Sequence, residues 1–462
     1  RPSAKLPLDS NDQNRTAPMH TKPQDLSALD IAHLWHPYTD INQYEKGPNT
    51  SFDSAEGVYL YTVEGKKVLD GISSWWATAL GHSHPQIVDA IKEQAGILQH
   101  SILGNLTHPQ AVRLAAKLAD LAPGDLNHSY FAADGASATE ASLKMAIQYW
   151  ANISEKGKTK FVSLQEGYHG DTLGAVGVGF VPTFHQYFED AVRKSFVADM
   201  PSRPANTDDE LDKAFALEAF KSMDALVREH HREIAAVILE PLCQGAAGIR
   251  IHHPEYLRQV RALCDEFDLI LIADEIAVGF GRTGSLFACE EAGIIPDILC
   301  LGKALTGGYL PMSVTIASDR IFETFRSDDR QDRTFYDGHT YCGNPITSAA
   351  ALAAIEIFTS EDIVNKAKPA ALFLEQGFRN IAKLTSVDYY KTLGTIAMCS
   401  FTQEAGGAAF ARTVAAHAME MGLFIRPLGE VLYLWPPLVV SNEELTQMLD
   451  IFTSAIRKAE SE

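Results

Sequence analysis

LILIADEIAVGFGRTG (269–284) decides how the rest of the chain is read. Its first half is an unbroken apolar run that ends on a carboxylate, Asp274; its second half is rich in glycine. A short apolar run between polar segments fits a strand buried on both faces, as in parallel sheets. Gly279, Gly281 and Gly284 spell G-x-G-x-x-G. The dinucleotide fingerprint needs those glycines directly after the strand, a helix behind them, and an acidic residue roughly 20 positions on. Here ADEIAV intervenes, and SLFACEEAG is short before the next strand. The glycines therefore read as a surface loop rather than a nicotinamide site.

Outward from this stretch, β-rich runs alternate with helical ones. YFAA (130–133), FVSL (161–164), AAVILE (235–240), DILCLG (297–302) and SVTIAS (313–318) are separated by helices through MAIQYW, ELDKAFALEAF and PEYLRQVRALCDEF. This predicts an α/β fold, with a mostly parallel sheet covered on both faces in a large domain over 77–344. Residues 345–462 read as a smaller α+β domain, joined by 28–76, where GVYLYTVEGKKVLDG (57–71) alternates like a hairpin with a Glu-Gly turn. PQIVDAIKEQAGIL (85–98) and PQAVRLAAKLADL (109–121) are helices opened by proline. Residues 1–27, above all RPSAKLPLDSNDQNRTAP, read as a flexible tail. Met19 is a candidate original start, and Asp9 and Asp12 count against a transit peptide.

The 462 residues carry 39 Lys+Arg against 59 Asp+Glu, a formal charge of −20. That excludes a nucleic-acid partner, which needs a basic surface. No apolar run reaches the roughly 18 residues of a membrane span. Cys243, Cys264, Cys289, Cys300, Cys342 and Cys399 are scattered without a CxxC pair, which fits a reducing cytoplasm and neither a disulfide framework nor zinc. His230–His231 and His252–His253 are adjacent pairs that cannot both face one metal from a helix, so no metal is expected.

Two residues carry the chemistry. Asp274 ends a buried strand, and Lys303 follows another in LGKALTGG. Ligands of open α/β sheets sit outside the carboxyl ends of strands. A lysine there fits a surface residue ahead of a helix when taken alone; beside a strand-end carboxylate it reads as a desolvated nucleophile. In DGASATEASLKMAIQYW (134–150), Ser137 and Glu140 have capping-box spacing, and Gly135 with Ala136 leaves backbone N–H groups open to an anion. An anchor for phosphate, an amine and a carboxylate are what pyridoxal phosphate requires.

The sequence resembles the class III (subgroup II) aminotransferases of pyridoxal-phosphate fold type I from about His33 to the C-terminus. The matches are EGYHGDTLGA (166–175), ILEPLCQGAAG (238–248), IADEIAVGFGRTG (272–284), PDILCLGKALTGG (296–308) and HTYCGNP (339–345). The resemblance implies pyridoxal 5'-phosphate joined to Lys303, with Asp274 on its ring nitrogen and Tyr168 on its ring. Gly135, Ala136 and Glu240 complete the cofactor site, and Thr340 reaches the phosphate of a second subunit, which implies a homodimer. LWHPYTD (34–40), DGISSWWATALGHSHP (70–85) and IRPLGEVLYLWPP (425–437) are similar to the biotin-pathway branch of the family. In that branch Tyr38, Trp75, Arg426 and Tyr433 line the site for the acceptor, 8-amino-7-oxononanoate, with Arg282 shaping it. S-adenosylmethionine is the branch's usual donor and lysine replaces it in some members. Asp134-Gly135-Ala136 departs from the family's Ser-Gly-Ser, while LGNLTHP (103–109) and YDGHTYCGNP (336–345) lean toward general class III forms. A broad ω-amino-acid or diamine:pyruvate aminotransferase therefore stands as the alternative.

Overall fold

The computed structural model describes residues 23–47, 49–327 and 332–462. The tail expected over 1–27 lies outside these up to residue 22, whereas Pro23–His33 is a helix. Its apolar residues are not gathered on one side, so periodicity gives no sign of it. The described residues divide into two compact units, one of those up to 54 with 60–67 and one of 55–59 with those from 68 onward. In the first, a helical turn at Ile41–Tyr44 is capped by Asp40, which accepts from Gln43 N at 3.1 Å. The expected 57–71 hairpin forms as strands Tyr59–Thr62 and Lys67–Asp70, with Gly65 at φ 83° between them.

The second unit is built on a seven-stranded sheet. Its strands are β1 (Leu126–Ala132), β2 (Lys160–Leu164), β3 (Phe196–Ala198), β4 (Ile234–Leu239), β5 (Ile270–Asp274), β6 (Ile298–Leu301) and β7 (Ser313–Ser318). The spatial order is β1-β7-β6-β5-β4-β2-β3, and only β7 runs antiparallel to its neighbours. Side chains alternate between faces along each strand. Ile270 and Ile272 of β5 join one core cluster with Ala138, Leu143 and Trp150; Leu271 and Ala273 join the other with Tyr256, Leu257 and Val260. Each fully buried Ile or Leu contributes about 1.5–3 kcal/mol, which is why the run reads as continuously apolar.

The helices that cover these faces are α1 (Pro85–Ile97), α2 (Pro109–Leu121), α3 (Gly135–Asn152), α4 (Leu173–Val178), α5 (Asp209–His230), α6 (Pro254–Glu266) and α7 (Pro345–Ser360). The capping box expected at Ser137 and Glu140 is not formed. Asp134 is the N-cap of α3, accepting from Ser137 N at 2.9 Å, since a short carboxylate just ahead of the helix is a better cap than a residue inside its first turn. Glu140 instead accepts from Thr172 Oγ1 (2.7 Å) and Gly174 N (2.9 Å) at the start of α4.

The C-terminal part carries an antiparallel sheet of β8 (Val387–Leu393), β9 (Ile396–Phe401) and β10 (Val431–Leu434), with α8 (Asn442–Glu460) beside it. Leu69 and Asp70 pair in parallel with Leu423 and Phe424, tying N- and C-terminal segments together. Among the described residues no helix is long and apolar enough to cross a membrane. All six cysteines are free, five of them buried.

Candidate active site

The carboxyl ends of the central strands open on one cavity of about 670 Å³. β5 delivers Asp274, β4 leads to Glu240, β6 to Lys303, β1 to the N-terminus of α3, and β2 to Tyr168 and His169. Six residues singled out in the sequence, Gly135, Ala136, Tyr168, Glu240, Asp274 and Lys303, line it together.

Asp274 is buried. Its Oδ1 accepts from Ile276 N (3.1 Å), and its Oδ2 lies 2.7 Å from His169 Nδ1, which donates to it. Burial alone depresses the His169 imidazole, but the hydrogen bond and charge of Asp274, with the charge of Glu240, hold its pKa above the ordinary value. Glu240 accepts from Tyr168 N (3.0 Å) and Gly245 N (2.9 Å), and burial pushes its pKa up to about 7. Lys303 stands in the left-handed region at φ 43°, with Nζ 5.2 Å from the centre of the Trp76 ring. Desolvation lowers its pKa against the pull of Asp274 and Glu240, which raises the fraction of neutral, nucleophilic amine.

At the far wall, the N-terminus of α3 presents Gly135 and Ala136 to the cavity. Gly170, at φ 119°, passes so close that an added Cβ would stand 2.4 Å from that of Ala136. A helix start open to a cavity in this way can hold an anion through its backbone N–H groups. Tyr168 donates to Asp171 (2.8 Å) and stacks on His185 at 6.2 Å between centres.

The acceptor-side residues are placed differently. Trp76, not singled out in the sequence, lines the cavity; Trp75 is 39% exposed with its ring 4.3 Å from the Arg426 guanidinium carbon. Tyr433 is fully buried in β10 behind Trp76, whose Nε1 donates to its hydroxyl at 3.1 Å. Arg282 is fully buried too, donating to Pro436 O and, at 3.0 Å, to Ser73 Oγ; burial lowers its pKa to about 9 despite the Asp70 charge. None of Trp75, Arg282, Arg426 and Tyr433 lines the cavity itself, though Tyr433 backs the lining residue Trp76. Thr340 is exposed and outside it, and Tyr38, 42% exposed at φ 52°, belongs to the smaller unit. His169 is a site residue that the sequence reading passes over; its one signal is its place beside Tyr168 in EGYHGD (166–171). Among the described residues no His, Cys, Asp and Glu cluster suits a metal.

One neighbour of the site supplies a stability test. Glu275 is buried, accepts from Ala288 N (2.6 Å) and Cys289 N (2.8 Å), and is pushed by burial up to about 7 from the ordinary 4.5. The native state then holds a proton that the unfolded chain has released, so stability falls as pH rises from 4.5 to about 7. Glu275→Gln is expected to flatten that slope without abolishing it, because Glu240 contributes in the same direction. Thermal unfolding at pH 5 and pH 7.5 measures it; an unchanged slope would show Glu275 ionised throughout.

The family model described as Aminotransferase class-III matches residues 42–456. The chain belongs to the class-III aminotransferases. Among class-III relatives, an adenosylmethionine-8-amino-7-oxononanoate aminotransferase of Aquifex aeolicus is 36% identical over 95% of this chain and 99% of its own length. The crystal structure of the enzyme of that name from Methanocaldococcus jannaschii superposes with a TM-score of 0.88 at 36% identity, covering 94% of this chain and 99% of that one. An (S)-enantioselective omega-transaminase from Thermomicrobium roseum gives 0.88 at 28%, covering 94% and 98%. The mostly parallel sheet with its covered faces is the fold type I architecture expected of a class-III aminotransferase.

Proposed function

We propose that the chain is a pyridoxal-phosphate-dependent transaminase that aminates 8-amino-7-oxononanoate to 7,8-diaminononanoate in biotin biosynthesis. The observation that carries the chemistry is the meeting of a desolvated amine, a buried carboxylate and an open helix N-terminus in one cavity. The substrate reading draws on the full-length similarity to enzymes bearing that acceptor in their names.

The residues present fit the cofactor. An added Cβ at Gly135 would meet Ile276 at 3.1 Å and one at Gly302 would meet it at 3.2 Å, so both glycines let Ile276 seat against their backbone, and Ile276 in turn lines the cavity beside Gly135. Gly135 and Ala136 would hold the phosphate through backbone N–H groups, Tyr168 the ring face, and Asp274 the ring nitrogen. The bound cofactor supplies an electrophilic carbon and an electron sink. Lys303 Nζ would carry the proton from the donor carbon to the cofactor's electrophilic carbon, as a base whose pKa is drawn toward the working pH. Asp274, braced by His169 Nδ1–H and Ile276 N–H, keeps its charge aimed at the ring nitrogen.

Arg426 supplies the planar fork that a remote carboxylate prefers, and its stacking on Trp75 steadies that fork. The protein acts as a homodimer in this reading. Support comes from Thr340, exposed beside Tyr341 (63% exposed) and away from the cavity of its own chain, where a second copy brings it to the partner's phosphate site. Free cysteines suit the cytoplasm.

Two half-reactions test the assignment. S-adenosylmethionine, lysine and simple amines are offered to the aldehyde form, then 8-amino-7-oxononanoate, pyruvate and other keto acids to the amine form. Preference for 8-amino-7-oxononanoate is expected, and Arg426→Ala should raise its KM by about tenfold or more through the lost charge-assisted bonds. Preference for pyruvate would move the assignment to the ω-transaminases, and equal losses with simple amines would make Arg426 structural.

A further inference from the structure

Ser73, Ser74, Trp75 and Trp76 carry φ values of 50°, 45°, 75° and 70°. With ψ at 54° for Ser74 and 48° for Trp75, the segment winds as a left-handed turn without a glycine in it. Residues with a Cβ avoid this region, and those that enter it do so singly. A run of them persists only where the surroundings over-determine it, and such runs gather at functional sites.

Much of that determination comes from one side chain. Asp70 is fully buried; its Oδ1 accepts from Ser74 N (2.8 Å) and Ile72 N (3.3 Å), and its Oδ2 from Ser74 Oγ (2.7 Å), with His82 Nε2 at 2.8 Å. The other serine is fixed from the opposite side. Ser73 Oγ donates to Trp435 O (2.7 Å) and accepts from Arg282 Nη2 (3.0 Å). The turn delivers two tryptophans to two places. Trp76 goes inward, 4% exposed, stacked on Trp435 at 5.1 Å and facing the Lys303 amine. Trp75 goes outward to Arg426. Reversing the hand of the turn would redirect both Cα–Cβ bonds, so neither ring could keep its place.

We propose that Asp70 is a positioning residue of the acceptor site, whose carboxylate holds the left-handed turn 73–76 and so sets Trp76 over Lys303 and Trp75 against Arg426. Its effect on turnover rests on the transaminase reading above; its effect on the tryptophans does not.

The test compares Asp70→Ala, Asp70→Asn and Ser74→Ala in the cofactor-loaded protein. Near-ultraviolet circular dichroism reads the setting of the tryptophans, and steady-state kinetics separates KM from kcat for whichever keto acid the wild type accepts. Asp70→Ala is expected to change the near-ultraviolet spectrum and raise the acceptor KM by about tenfold, with a smaller fall in kcat, as several buried hydrogen bonds are lost. Asp70→Asn keeps the Oδ1 acceptor for Ile72 N and Ser74 N and should restore most of the KM. Ser74→Ala removes only the hydroxyl bond and should move both readouts the same way by less. An unchanged spectrum in Asp70→Ala overturns the proposal, as does a changed spectrum with an unchanged KM. If Asp70→Ala fails to fold, wild-type behaviour of Ser74→Ala in both readouts overturns it. Failure of the wild type to use 8-amino-7-oxononanoate defeats the substrate assignment alone, since both readouts remain measurable with another acceptor.

Discussion

Lys303→Ala is expected to lose transamination by at least about 10²–10⁴-fold, the range that a positioned proton carrier contributes. No other lysine lines the cavity among the described residues, and His169, the neighbouring base, already has Nδ1 engaged by Asp274. The amine is desolvated and its pKa lowered, so the native fold gains little from it and the variant should melt at or above the wild-type temperature. Steady-state rates with the preferred donor and acceptor check the first claim and thermal unfolding the second. Borohydride reduction of the loaded wild type followed by peptide mapping should mark position 303. Turnover within tenfold of wild type, or a label elsewhere, would remove Lys303 from its role.

Asp274→Asn is expected to lower kcat by about 10²–10³-fold, the usual cost of deleting one preorganised electrostatic partner, with a much smaller change in KM. The amide keeps the shape of the carboxylate and an oxygen to accept from His169 Nδ1 and Ile276 N. What it removes is the charge. The charge also helps to hold the His169 pKa above its ordinary value, so the imidazole should titrate lower in the variant, which NMR of the ring would follow. A kcat near wild type with that shift present would leave Asp274 as a mere support for His169.

Much of this was legible in the chain because burial leaves a mark on composition. β5 is apolar on both faces and stops at a charge, and a charge at a strand end has few uses other than a site. Lys303 and the α3 start stood out for the same reason. Direction was harder to read. Trp75 and Trp76 are adjacent and chemically alike, and the left-handed turn that sorts them inward and outward has no glycine to announce it. Arg282 sits among glycines that suggest exposure, yet the loop folds inward and Pro436 and Ser73 take its guanidinium. Tyr433 lies in VLYL, a strand buried at every position, where periodicity cannot separate a ligand contact from packing. The cap of α3 turned on Asp134 and Ser137, three residues apart, which composition ranks only loosely.

The reversed direction of β7 bears on how the amine is held. Because β7 runs against β6, residues 302–312 double straight back instead of crossing the sheet through a helix, and Leu301 and Val314 at the two ends face each other as register partners. Lys303 is thus moored at both shores of a narrow inlet. In the proposed reaction the Lys303 side chain would release one covalent partner and recapture it at every cycle, and such an anchorage would keep its backbone from drifting between one attachment and the next.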